Sequence, residues 1–210
     1  MRIEDLPRTR RALHGVAELV MAGPQYRLSG TIRLRAASGG FATITAPDLR
    51  VDGDTLVTGT GLVLPLRDVT FAALAEAAGV RAGAPEGLYR DGSGVQSDEV
   101  VDVDPAAAEY IADCLAIGET ALRHLDPELT PVLWPEHFDL GISSDEINYG
   151  VSLGNSEIEE PYAYVGPWQS REGSFWNMTF GAARPISELG GADAVTAFLE
   201  EGRRQAHDRD

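Results

Sequence analysis

"PVLWPEHFDLGISSDEINYGVS", residues 131–152, is the stretch whose reading decides the fold. Phe138, Leu140 and Ile142 alternate with polar neighbours. After a polar turn, Ile147, Tyr149, Val151 and Leu153 do the same. A period of two is satisfied by a strand and not by a helix. The stretch therefore reads as a hairpin, "HFDLGI" paired with "INYGVSL". A loop of Ser144-Asp145 would set Ser143 opposite Glu146, Asp139 opposite Gly150 and His137 opposite Ser152. One face is then apolar core, and His137, Asp139, Asn148 and Ser152 lie on the other.

That polar face is the candidate site. A histidine two residues from an aspartate on one strand has its ring within reach of the carboxylate. Such a neighbour fixes the tautomer and raises imidazole basicity, as a general base requires. His137 and Asp139 are the candidate catalytic pair, and Gly150 would leave an opening for a ligand beside the backbone. The competing account is plain: antiparallel sheets expose a wet side made of such residues.

Aromatic residues crowd the same region. Trp134, Phe138, Tyr149, Tyr162, Tyr164, Trp168, Phe175, Trp176 and Phe180 fall within one third of the chain. On "PYAYVGPW" the two tyrosines share a face, and Gly166-Pro167 breaks the run before Trp168. Tryptophans beside prolines and glycines at strand ends line pocket rims as well as cores. Asn148, Tyr162, Tyr164, Trp168 and Trp176 are therefore the candidate ligand-binding residues.

Working outward, a helix is expected from Pro7 to Met21, ended by Gly23-Pro24. Its first turn carries Arg8, Arg10 and Arg11, the wrong sign for the dipole, so acidic partners or fraying are expected. "QYRLSGTIRLR" reads as a strand with Arg27, Arg33 and Arg35 on one side. "FATIT", "LRV" and "TLV" follow, the last two around an Asp52-Gly53 turn. Asp68 is placed to cap a helix that Gly79 closes. Asp104-Pro105 opens another, which runs to about Leu125. "YAYVG" and "FWNMTFG" supply further strands. A last helix spans Ala192 to Gln205, and its tail, "RRQAHDRD", is expected to fray.

The pattern is α+β: antiparallel sheet packed with about four helices in one domain, residues 1–210. Two halves, 7–79 and 104–205, share the plan helix, four strands, helix, joined by a linker at 80–103 that is rich in Gly, Asp and Ser. If they are repeats, two similar layers face each other with any cleft between them.

Composition narrows the partners. A net charge of −16 disfavours nucleic acid and anionic membrane surfaces. No run approaches the length of a membrane helix, and "MRIEDLPRTRRALHG" lacks the apolar segment of a secretory signal, so a cytoplasmic protein is expected. The lone Cys114 sits at helical spacing with Ile111 and Leu115 and reads as buried packing. His14, His124, His137 and His207 are scattered, without the close pairs of a metal cage, so neither metal nor cofactor is expected. The serines lack the Gly-x-Ser-x-Gly frame, and the glycine runs lack a phosphate loop's lysine.

"LWPEHFDLGI", "NYGVSLG", "EPYAYVGPW" and "FWNMTFGAAR" resemble a family of uncharacterised proteins from high-GC Gram-positive bacteria. The likeness extends to "AGPQYRLSGTIRLR" and "GLYRDGSG". The order of elements is similar, more remotely, to another bacterial domain family of unknown function. Neither resemblance implies an activity, cofactor or catalytic residue. The residues support three readings: a small-molecule binding or interaction domain, a metal-independent enzyme built on His137 and Asp139, and a homo-oligomer whose aromatic patch is the subunit interface.

Overall fold

The structure is a computed structural model that describes residues 5–90 and 92–207. It opens with one continuous helical run: α1 (Asp5–Gly15), a π-helical stretch (Val16–Ala22) and α2 (Gly23–Ser29). The helix does not end at Gly23-Pro24. Pro24 has no N–H to offer the carbonyl of Leu19, and the N–H of Gly83 occupies it instead at 2.9 Å. The proline thus costs the helix no unsatisfied carbonyl. Gly23 permits the approach, since a Cβ there would lie 1.7 Å from the Gly83 carbonyl oxygen.

The expected strand over 25–35 is therefore helix through Ser29, and strand begins only at Leu34. Arg27 leaves the arginine face and donates to the carbonyls of Gly83 and Arg81. Arg33 stacks its guanidinium over Trp134 at 5.6 Å. Two of the three first-turn arginines find acids, Arg8 with Asp5 and Asp102 and Arg11 with Glu99, while Arg10 donates to the Glu159 carbonyl.

The chain continues through β1 (Leu34–Ala37), β2 (Gly40–Thr43), β3 (Leu49–Asp52), β4 (Thr55–Thr58), β5 (Val63–Pro65), β6 (Arg67–Thr70) and α3 (Phe71–Ala77). Next come β7 (Val100–Asp102), α4 (Pro105–Leu125), β8 (Val132–Trp134), β9 (Asp139–Ser144), β10 (Ile147–Ser152), β11 (Tyr162–Pro167) and β12 (Ala182–Pro185). The last elements are α5 (Ile186–Leu189) and α6 (Ala192–His207). The fold is α+β, with a ten-stranded antiparallel sheet in the order β12-β11-β10-β9-β8-β1-β2-β3-β4-β5, and β6 pairs separately with β7.

Each half thus contributes a five-stranded meander, and the two join where Leu34 of β1 meets Leu133 of β8. The halves do not face each other as layers; they lie side by side in one sheet, so no cleft forms between them in that sense. The linker is anchored, with Val95, Val101 and Val103 buried in the core.

Several local expectations shift. The β3–β4 turn is Gly53-Asp54, because Asp52 pairs with Thr55. Asp68 sits at positive φ in the irregular part of β6, and Thr70 caps α3 by accepting from Ala73 N at 3.1 Å. Asp104 caps α4 as its sequence implies, accepting from Ala107 N at 2.9 Å. "FWNMTFG" makes only a Met178–Gly181 bridge before β12. The final helix persists to His207, held by Arg203 on the Leu125 carbonyl and Arg171 on that of Ala206.

Helices cover one face of the sheet. Gly118 of α4 lets that helix close on Val151 and Leu140, and Gly202 of α6 closes on Val165; a Cβ at either would come within 3 Å of the valine, and one on Gly118 would lie 3.4 Å from Leu140. Leu140, Val151 and Val165 are fully buried there, each worth about 1.5–3 kcal/mol. By alternation, Asp139, Gly141, Ser143, Asn148, Gly150, Tyr162 and Tyr164 face the other way.

Candidate functional site

The hairpin is present with a different register. Asp145 and Glu146 form its two-residue turn, both at positive φ (52° and 61°), as the primed hairpin turns require. Ser143 pairs with Asn148, Gly141 with Gly150, and Asp139 with Ser152. Asp139 had been expected opposite Gly150. The displacement is two residues, an even step, so each side chain keeps its expected face.

His137 is the exception. An additional strand, β8, pairs Trp134 with Asp139, and residues 135–138 form the connecting turn. Phe138 adopts a φ of 52°, and its N–H bonds the Trp134 carbonyl at 2.8 Å. Its ring stacks on His14 at 5.1 Å and meets Phe41 edge-on. That contact swings the turn round, leaving His137 exposed in it rather than in a strand opposite Ser152.

The carboxylate of Asp139 is engaged by another residue. Tyr164, on β11, lies across from Gly150, which lies across from Gly141. Two glycines side by side leave a trough in the sheet face. The Tyr164 ring fills it and reaches two strands away to donate its hydroxyl to Asp139 Oδ2. A Cβ on Gly150 would lie 2.6 Å from that ring, so the expected opening at Gly150 is occupied by tyrosine. No hydrogen bond joins His137 to Asp139; the imidazole acts on the carboxylate through space, opposing the effect of burial.

Burial dominates the electrostatics of this pair. It pushes the Asp139 carboxyl above its ordinary range against the pull of the Tyr164 hydroxyl, and Glu136 adds to the rise. The Tyr164 phenol is driven well up by the same desolvation and by Asp139 beside it. Perturbed groups in a cleft are a feature of functional sites.

Such a cleft exists. It measures about 1200 Å³ and is bounded by Arg10 and His14 of α1, by Gly92 and Ser93, by the 135–138 turn and by the open face of β9–β11. His137, Asp139, Asn148, Tyr162, Tyr164 and Trp168 all line it. Trp168 stands at the rim, 66 % exposed, its backbone N–H on the Glu146 carbonyl and its indole N–H on Asn148 Oδ1 at 3.3 Å. Ser143 donates to the same oxygen at 2.7 Å, and the Asn148 amide nitrogen makes no hydrogen bond among the described residues. Tyr162 is buried beneath, its hydroxyl accepting from Asn155 at 2.8 Å.

Trp176 lies elsewhere. It packs edge-on against Phe175, whose ring stacks on Phe198 of α6, and it borders a separate polar hollow with Arg171 and Gln205. The aromatics therefore form no flat exposed patch: Trp168 is the one among the nine that is strongly exposed.

Sequence reasoning missed Arg10, His14 and Glu136. The N-terminal helix reaches this end of the sheet only through tertiary packing, with His14 Nε2 on the Pro135 carbonyl at 2.6 Å. Burial lowers the proton affinity of that imidazole. Among the described residues no group of three or more His, Cys, Asp or Glu could hold a metal ion. No described helix is long and apolar enough to cross a membrane. Comparison with protein-family models, curated proteins and solved structures yields no match.

Proposed function

We propose that this protein is a soluble, cytoplasmic binding domain that holds a small polar organic molecule in the cleft over β9–β11. The observation that carries the reading is Trp168: an indole two-thirds exposed, pinned to Asn148, at the rim of a cleft with buried polar groups at its base. A solvated aromatic held in place at a concave polar site supplies contact area at little entropic cost, which suits ligand capture. The catalytic reading has less support, because the carboxylate meant to orient His137 is bonded to Tyr164. The oligomer reading has less too, since Trp176, Phe175 and Tyr162 are spent on packing.

The test is a thermal-shift and native mass spectrometry screen of small polar metabolites on wild type and Trp168→Ala. The exposed indole makes little contribution to stability, so the variant should melt within about 2 °C of wild type. Ligands that stabilise wild type should lose most of their effect on it. Equal shifts in both proteins, or no stabilising ligand at all, would overturn the reading.

A further inference from the structure

Two buried side-chain oxygens that line the cleft lack a hydrogen-bond partner among the described residues: Glu136 Oε2 and Asp139 Oδ1. Glu136 also acts electrostatically on Asp139, so the two acids share one neighbourhood. Buried polar atoms are nearly always paired, so a pair of orphans marks a place where a donor is missing.

Apart from the exposed His137 imidazole, which reaches Asp139 only through space, the surrounding basic groups are already engaged. Arg10 donates to the Glu159 carbonyl at 2.8 Å, Arg11 grips Glu99, Arg33 lies over Trp134, and His14 is bonded to Pro135. The two acids are the groups left over. Resting on the binding reading above, we infer that the inner end of this cleft receives a primary ammonium group. An ammonium carries three N–H donors and no acceptor, which matches oxygens that all accept; a hydroxyl brings a single donor, and an anion brings none. The acidic balance of the whole chain attracts a cation to it.

The ligand's shape follows from the sheet. Asp139 pairs with Ser152, and Asn148, which holds Trp168, lies four residues earlier on β10. At about 3.3 Å per residue the two ends are ~13 Å apart. The ligand is therefore an elongated amine, with its cation against Glu136 and Asp139 and a flat apolar group toward Trp168.

The experiment is calorimetry at neutral pH with three probes: 4-phenylbutylamine, its neutral analogue 4-phenylbutanol, and maltotriose. The amine should bind about tenfold or more tightly than the alcohol, the size of effect a desolvated charge pair gives. Asp139→Asn and Glu136→Gln should each erase most of that preference without weakening the alcohol; Asn keeps the acceptor for Tyr164, and a melting curve verifies folding. Equal affinity of amine and alcohol, a preference that survives both substitutions, or preferential binding of maltotriose would overturn the ammonium assignment. In those cases, loss of the remaining binding in Trp168→Ala would leave the cleft itself standing. Absence of any Trp168-dependent binding would count against both.

Discussion

Replacing Gly150 with alanine tests the arrangement that underlies the site. The new Cβ would lie 2.6 Å from Tyr164 Cζ, 2.6 Å from its hydroxyl oxygen and 2.6 Å from the carbonyl oxygen of Leu140. Carbon contacts are comfortable at about 3.5–4.0 Å, so the ring must rise by roughly 1 Å while the strand carbonyl holds still. Overpacking of this kind costs about 1–3 kcal/mol. Lifting the ring also breaks the hydroxyl bond to the buried Asp139, worth about 1.5–3 kcal/mol where one partner is a carboxylate. Together these give roughly 3–6 kcal/mol, and in a chain of this length a melting temperature lower by about 6–24 °C. Circular dichroism with heat and urea measures it. The contact with the Leu140 carbonyl remains when the ring is removed, so the same substitution in a Tyr164→Ala background should still cost stability, but less than in the wild type. A loss below about 1 kcal/mol, or an equal loss in both backgrounds, would refute the packing of the tyrosine over the glycine trough.

Two further outcomes follow from the same physics. Burial raises the proton affinity of Asp139 in the folded state, so its ionised form costs stability above the folded pKa, and that cost is relieved as pH falls through it. Asp139→Asn should therefore be as stable as wild type or more so near pH 8, with the difference shrinking toward about pH 4; a variant whose relative stability instead grows in acid would show that the carboxyl is depressed. Gly23→Ala places a Cβ 1.7 Å from the Gly83 carbonyl and should detach the 80–90 segment. Destabilisation by about 3 kcal/mol or more and faster tryptic cleavage after Arg81 or Arg90 are expected; unchanged proteolysis would contradict the anchoring.

The sequence by itself determined the elements whose pattern is local. The alternation in 138–153 fixes both faces of the β9–β10 hairpin, and because a two-residue slip preserves those faces, Asp139, Asn148 and the tyrosines of β11 fall on the cleft side even though the register had been misjudged. Asp104-Pro105 likewise marks the start of α4 through chemistry confined to four residues. Tertiary structure decided everything that depends on a partner distant in the chain. The helix runs through Pro24 because a glycine about sixty residues later satisfies the carbonyl that proline leaves open. His137 leaves the strand because Phe138 is drawn to His14 and Phe41, and Asp139 takes Tyr164 as its partner because two glycines on separate strands happen to align. Periodicity records which way a side chain points relative to its neighbours. What stands opposite it is set by strand order and by packing between distant segments, and that is where the cleft and its unsatisfied oxygens arise.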